Sequence, residues 1–345
     1  MSTDRLRIQR KPFKTLTMAE HDAWVRLLAE STSSRWAFLS PTYAEAVNVA
    51  IGPVEVLLCW DGDALVGVMP LQRTTGWLGQ WGLREPAGRR MTDYFGLLAH
   101  PGVKIDWQSL LRAAGIPCVC FTHLDESQAD HGLTGVGPRV GLRTRIHPDG
   151  GAAHWEWLRT QDKKLVSDTE RRERKLVAEH GPLEFQMQSA SPVQDMESLV
   201  ALKTAQYRRT GHDEGALLNP ENIGLLSRLL ASSSPDCRPM LSVLRCGGQL
   251  VAGHFGLQCG ALLHYWFPAY NPCFSAYSPG RILTRHILLD AERYGITCLD
   301  RGEGDSAAKR DFATEEHLYF MGLVQASPWG QALGALQRLR WRLAS

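Results

Sequence analysis

The first part of the chain passes from helical apolar spacing to short strand-like apolar runs. Apolar residues recur at helical spacing behind Thr17, and Ser40-Pro41 provides the N-cap and first turn of a second helix. The pattern then predicts strands at 54–59 and 64–71, joined by a hairpin turn, followed by a strand at 94–98, a helix at 107–114 and a strand at 118–121.

The same kind of pattern returns in the second part. Residues 135–151 are rich in Gly, Pro and Arg, which predicts a boundary, and a basic helical stretch follows at 163–175. Ser-Pro and Asn-Pro pairs predict helix starts at 192 and 220. The pattern then predicts strands at 240–244, 250–258 and 262–267, a helix at 279–294, strands at 296–300 and 318–324, and a last helix at 329–343.

Two sequence echoes indicate that this similarity is a duplication. Residues 62–72, GDALVGVMPLQ, precede 248–258, GQLVAGHFGLQ, by 186 positions, and GIPC at 115–118 precedes GITC at 295–298 by 180. The echoes occur in the same order at nearly the same offset. They predict an α/β (α+β) fold of two tandem lobes, 1–140 and 152–345, each with a mixed central sheet flanked by helices.

Composition narrows the class of protein. The 345 residues are 44% hydrophobic and 21% charged with a net charge of +2, as in globular proteins without a general attraction to nucleic acid. No apolar run reaches 18 residues, and the basic first residues lack the apolar core of a secretory signal. Eight cysteines without a C-x-x-C pair favour reduced thiols. Histidine spacing predicts no metal, and we expect a cytoplasmic protein without a membrane span.

The sharpest local signal is the segment Tyr277 to Arg281. Ser278 is a suitable N-cap, Pro279 is pre-set for the first helical turn, and Gly280 has no side chain to keep a ligand from the backbone. Free amides at a helix start favour phosphate, and Arg281 could add charge-assisted hydrogen bonds. The alternative is an ordinary helix start. Because residues 92–96, at the matching offset, carry an acid and no Pro-Gly, only the second copy is expected to hold a phosphorylated donor.

A second candidate cluster ends the strand predicted at 296–300. Asp300 or Asp305 could orient an acceptor nucleophile or take its proton, and Lys309 could stabilise developing negative charge. The alternative is a solvated turn with an Asp–Lys ion pair. Tyr270, beyond an aromatic strand, is a candidate hydroxyl acid or acceptor clamp, whereas His254 in an apolar strand is more typical of a core. The basic run at 163–175 could grip nucleotide or RNA phosphates or form a solvated helix face.

Together these features resemble the CelD/BcsL group of the GNAT acyltransferase superfamily, the BioF2-like or FemABX-like tandem-GNAT proteins. The resemblance is clearest at about 169–314 and looser in the first half. Its motifs are R-R-x-R-K-L at 171–176, L-K-x-x-Q-Y at 202–207, the hairpin at 248–256, Trp266 with Tyr270, Ser278-Pro279-Gly280, Asp300 with Gly304-Asp305 and Lys309, and, in the first half, Pro70-Leu71 and Asp93-Tyr94.

The resemblance implies transfer of an acyl group from a CoA thioester to an amine or hydroxyl, often in exopolysaccharide or cell-envelope pathways. It implies acetyl-CoA or another acyl-CoA as co-substrate, a small-molecule or glycan-precursor acceptor between the lobes, and polysaccharide-synthesis proteins as partners. It also implies that Asp93, Tyr94, Tyr207 and Trp266 contact the substrate.

One departure keeps alternatives open. The family's pyrophosphate loop reads Q/R-x-x-G-x-G/A, whereas this chain has Tyr277 and Ile282 where the first and last of these residues stand. The donor could therefore be a longer acyl-CoA or an aminoacyl-tRNA, with the basic helix contacting tRNA as in a Fem-like enzyme. A non-catalytic scaffold of a polysaccharide-synthesis complex is the alternative outside enzymes.

Overall fold

The computed structural model describes residues 6–31, 36–211 and 219–344. The chain divides into two compact units: unit 1 is Met1–Val140 with His317–Ser345, and unit 2 is Gly141–Glu316. The sequence placed 317–345 in the second lobe, but the structure groups it with unit 1. The reason is strand pairing, because residues 319–325 pair with the strand at 118–125.

The elements follow in chain order. The helices are α1 Met18–Glu30, α2 Pro41–Ala50, α3 Trp77–Gln80, α4 Trp107–Ala113, α5 Gly150–Gln161, α6 Lys163–His180, α7 Pro192–Thr210, α8 Pro220–Leu230, α9 Pro279–Asp290, α10 Ala307–Arg310 and α11 Pro328–Ala344. The strands are β1 Arg7–Pro12, β2 Val54–Asp61, β3 Ala64–Arg73, β4 Leu83–Pro86, β5 Leu98–Ala99, β6 Cys118–Asp125, β7 Val136–Arg145, β8 Leu183–Gln186, β9 Arg238–Cys246, β10 Gln249–Cys259, β11 Leu262–Tyr270, β12 Cys298–Glu303 and β13 Glu315–Gln325.

Local signals account for most of these elements. Thr17 and Glu20 form a reciprocal capping box at α1, and the Ser40 side chain accepts from the Tyr43 amide at α2. The predicted hairpin forms between β2 and β3, with Asp61 opposite Ala64. The helices predicted to start at 192 and 220 begin there, and the basic stretch lies within α6.

The two units repeat one sheet order. Unit 1 runs β1-β2-β3-β4-β6-β13, with β5 beside β3, and unit 2 runs β8-β9-β10-β11-β12-β7. In each, one inner pair is parallel, β4 with β6 and β11 with β12, and the neighbouring pairs are antiparallel. Each unit also has its own apolar core. The predicted class, two tandem α/β lobes with mixed sheets, is confirmed.

The strand predicted at 94–98 was wrong for most of its length, since Phe95 makes an isolated bridge and only Leu98 belongs to a strand, β5. Between them the Gln128 side chain accepts from the Leu97 amide (2.7 Å) and donates to its carbonyl (3.3 Å). The division between the units, after Val140, lies within the predicted boundary at 135–151, but this region also contains β7, which the sequence did not predict and which pairs with β12 far along the chain. Among the described residues, no helix has the length and hydropathy needed to cross a membrane.

In unit 2, β11 and β12 pair over three positions only, ending at His264 opposite Asp300. Both strands continue beyond that point, to Tyr270 and Glu303. The parallel strands therefore part in the middle of the sheet. An opening at the carboxyl ends of parallel strands is a usual place for ligands in α/β folds.

Candidate functional site

Helix α9 begins without a side-chain cap. Ser278 is at the predicted N-cap position, but its backbone is left-handed (φ 53°, ψ 56°) and its side chain makes no capping hydrogen bond. Pro279 has no amide hydrogen, and the Gly280 amide donates to no acceptor within the described chain. A Cβ at Gly280 would meet nothing within 4 Å. The helix start thus presents an uncapped amide to open space, which suits an anion.

A cavity of about 520 Å³ lies against Arg281 in the first turn of this helix. We call it the α9 cavity, and α6 supplies most of its wall. Its lining contains four cationic and three acidic side chains with a leucine and a serine: Lys164, Arg171, Arg174, Arg281, Asp162, Asp168, Asp311, Leu165 and Ser167. The structure therefore brings together two separate sequence signals, the basic run and the Ser-Pro-Gly helix start.

Ion pairs inside the α9 cavity hold its cations in place. Arg281 donates from Nε to Asp311 Oδ2 at 2.7 Å and its Nη1 lies 3.5 Å from Asp168 Oδ2. Hydrogen bonds from Arg171 and then Arg172 lower the pKa of Asp168, so this carboxylate stays charged. A bound phosphate would therefore share Arg281 with two carboxylates, and four cations against three acids leave the cavity mildly positive.

The predicted acidic cluster separates into a buried part and an exposed part. Asp300 is 0% exposed; its Oδ1 accepts from the Gly302 amide at 2.8 Å and its Oδ2 lies 3.2 Å from Arg143 Nε. Asp305 is exposed and pairs with Arg310 at 3.3 Å, not with Lys309. Of the two acids, only Asp305 is accessible to an acceptor.

Lys309 and the predicted β11 aromatics lie around the carboxyl end of that strand. Lys309 donates to the Glu303 carbonyl, and Tyr270 is half-buried against the unit 2 core. Trp266 is half-buried, with its ring 4.4 Å from that of Phe267. These residues share one region of unit 2.

The two predicted substrate residues of unit 1 have different surroundings. Tyr94 is 1% exposed and stacks on Trp36 with ring centroids 4.4 Å apart, so packing accounts for it. Asp93 beside it is half-buried.

Sequence reasoning gave no chemical role to Lys203 on α7. It is 9% exposed, donates to the Pro268 carbonyl at 3.0 Å and lies 5.0 Å from the Tyr207 ring, another predicted substrate residue. Burial, and then the nearby Lys309 charge, lower the pKa of Lys203 to about 8. The signal that could have revealed it is a lysine continuing the apolar stripe of Met196 and Leu199.

No group of three or more His, Cys, Asp or Glu side chains suited to a metal occurs among the residues the structure describes.

Residues 163–310 match the family model described as an acetyltransferase (GNAT) domain. This span falls within unit 2 and contains α9, the parted strands and all residues of the α9 cavity lining except Asp162 and Asp311. Among curated proteins, no sequence match was found.

The whole chain resembles solved structures that include FemX and a DUF2156 domain. FemX aligns with a TM-score of 0.60 at 10% identity, covering 95% of this chain and 99% of FemX. The C-terminal DUF2156 domain attributed to a lysylphosphatidylglycerol synthetase of Agrobacterium fabrum aligns with a TM-score of 0.54 at 10% identity, covering 92% and 94%. At this identity the likeness shows a shared fold.

Proposed function

Because residues 163–310 match an acetyltransferase (GNAT) domain, we propose that the chain is a GNAT-type acyltransferase that transfers an acyl group, acetyl as first candidate, from acyl-CoA. The proposed acceptor is an amine or hydroxyl of a sugar, cell-envelope or polysaccharide precursor. The observation that carries this proposal is the uncapped α9 start beside the cationic α9 cavity. A phosphate group is favoured where a free amide and positive charge lie at one helix start, and the Gly280 amide with the cations of the α9 cavity offers this combination.

In the proposed reaction the acceptor amine or hydroxyl attacks the thioester carbonyl carbon. A C–N or C–O bond forms, the C–S bond breaks, and CoA leaves as a thiol with the proton that a base has removed from the acceptor. Ser278, Gly280 and Arg281 would hold the donor phosphates, and Pro279 would fix the helix start that presents them.

We assign acceptor contacts to Asp305, Lys309, Tyr270, Tyr207 and Trp266. Asp300 supports the site by holding the Gly302 amide, since it has no exposed surface.

Lys203 is the proposed proton acceptor. With a pKa of about 8, a useful fraction of its amine is neutral near physiological pH, as general base catalysis requires. Its position between Pro268 on β11 and Tyr207 on α7 places it beside the proposed acceptor contacts.

Gly280→Asp tests the donor site. The carboxylate would occupy the proposed phosphate position, so calorimetric titration with CoA and acetyl-CoA should show binding lost. The fold should survive, because an acid in the first helical turn is favourable and the site is open. Gly280→Ala is the matched control and should bind like the wild type. Equal affinity of Gly280→Asp and wild type would remove the assignment.

Aminoacyl transfer from tRNA is the second candidate function. The observation that favours it is that α6 contributes three exposed cations to the α9 cavity, namely Lys164, Arg171 and Arg174. Contacts to several tRNA phosphates would make affinity fall steeply with salt. We expect weak, salt-insensitive tRNA binding if CoA is the donor, and a steep salt slope if tRNA is. A wild type that binds neither CoA compounds nor tRNA would favour the scaffold role.

A further inference from the structure

Arg301 on β12 is a buried cation without a carboxylate. It is 8% exposed, and its Nε and Nη1 are buried without a hydrogen-bond partner in the described chain. Its guanidinium carbon lies 5.3 Å from the Tyr265 ring centre and 5.7 Å from that of Phe312. Arg301 directly follows Asp300, the last residue of β12 that pairs with β11, so it stands where the two strands part.

Such a cation needs an explanation, because removing a charge from water is costly unless a partner repays it. Stacking of the guanidinium on two aromatic rings offsets part of this desolvation cost. The other buried arginine of the described chain, Arg84 in unit 1, is held by Glu55 with Nε 2.8 Å from Oε2. Arg301 has no equivalent acid in hydrogen-bond contact. Its buried Nε and Nη1 are donors that a bound group could satisfy.

The duplicated unit shows that the fold itself does not need this charge. Cys118 pairs with β4 in unit 1 as Cys298 pairs with β11 in unit 2, within the echoed segments 115–118 and 295–298. Three residues further on, unit 1 has Phe121 where unit 2 has Arg301. Phe121 is 2% exposed in the apolar core of unit 1. An apolar residue therefore fills this position well.

The surroundings of Arg301 connect it to the proposed donor site. The Asp311 charge acts on Arg301, and Asp311 both hydrogen-bonds Arg281 and lines the α9 cavity. His254, stacked on Tyr265 at 4.1 Å, is uncharged at neutral pH because burial lowers its pKa to about 3. Arg301 lies over the ring of Phe312, the residue that follows Asp311 of the cavity wall.

We propose that Arg301 binds an oxyanion of the bound donor and so selects the donor. This inference rests on the proposed function. The oxyanion is either a carboxylate at the far end of a dicarboxylic acyl group or a phosphate of the donor, and a guanidinium can bind either through paired hydrogen bonds.

Arg301→Phe, which installs the unit 1 residue, is the test. Titration calorimetry would compare CoA, acetyl-CoA and succinyl-CoA on the wild type and the variant, with thermal unfolding to confirm the fold. We expect an unchanged or raised unfolding temperature and an affinity loss of about tenfold or more, the range of a lost charged hydrogen bond. Arg301→Lys should recover part of the loss.

The pattern of losses identifies the oxyanion. A loss confined to succinyl-CoA supports the acyl carboxylate, whereas an equal loss for all three compounds supports a phosphate. Arg285→Leu is the control, since Arg285 also stacks on a ring, that of Trp155 at 5.2 Å, but is already paired with Glu173 at 2.7 Å. It should leave all three affinities unchanged.

Unchanged affinities in Arg301→Phe, with the wild type binding CoA, would overturn the assignment of Arg301 and leave the proposed function standing. A wild type that binds none of the three compounds would overturn both.

Discussion

Units 1 and 2 share a strand order, but the helices that lead into their inner parallel strands begin differently. Helix α4 in unit 1 and α9 in unit 2 each lead into the inner parallel strand. In α4 the Asp106 carboxylate accepts from the Gln108 and Ser109 amides, both at 3.2 Å. In α9 the Ser278 side chain caps nothing. The shared fold therefore supplies the helix start, while one residue decides whether it is closed by the protein's own acid or left for an anion.

The strands that follow those helices differ in the same sense. Unit 1 has Cys120 and Phe121 where unit 2 has Asp300 and Arg301, and all four are buried. Unit 1 therefore keeps an apolar centre, and unit 2 places two opposite charges on successive residues of one strand. Their side chains point to opposite faces of the sheet, so the two charges serve different surroundings.

The largest change in the free energy of unfolding is expected for Asp300, the acid of this pair. Asp300→Ala leaves Arg143 without its buried partner, which should lower the free energy of unfolding by about 3–5 kcal/mol in urea denaturation. Cys120→Ala, the matched change in unit 1, should cost only about 1 kcal/mol because no charge is stranded. A stable Asp300→Ala that has lost turnover would instead make Asp300 a catalytic group.

The second effect concerns Lys203, the only buried lysine of the described chain. The corresponding helix in unit 1, α1, buries Trp24 and Leu27 instead. The pKa of Lys203 is about 8 in the folded protein and 10.5 for an ordinary lysine. Below pH 8 the fold must hold a buried ammonium. As pH rises towards 10.5 the folded protein releases this proton before the unfolded chain does, so stability rises.

Lys203→Met removes this group at similar length. Between pH 8 and 10.5 the wild type should gain about 3 kcal/mol of unfolding free energy relative to the variant. Urea denaturation across this range measures the difference. Parallel pH curves for the two proteins would show that Lys203 keeps an ordinary pKa and would remove it as proton acceptor.

The smallest changes in the free energy of unfolding are expected at the starts of α4 and α9. Asp106→Ala should cost about 1 kcal/mol of unfolding free energy, since it removes two capping hydrogen bonds. Ser278→Ala should stay within about 0.5 kcal/mol, because no capping bond is lost. Thermal unfolding at neutral pH separates the two. Equal costs would mean that Ser278 caps α9 after all.

The elements whose signals are local could be predicted from the residues alone. Capping at Thr17 and Ser40, the hairpin turn at 60–63 and the apolar periods lie within a few residues of the structure they form. The duplication was also readable, since GIPC and GITC mark the same step in both units. The helix start at Ser278 was located correctly for the same reason.

The surroundings of these elements depend on long-range contacts that the residue order does not reveal. Strand β7 forms because of a partner more than 150 residues away, and its own composition predicted only a boundary. Strand β13 was predicted, but its pairing with β6 was not. The α9 cavity exists because α6 packs beside a helix start about 100 residues later. The burial of Asp300, Arg301 and Lys203 likewise depends on distant contacts. Charge and pKa at a site follow from such surroundings, and residue order alone does not contain them.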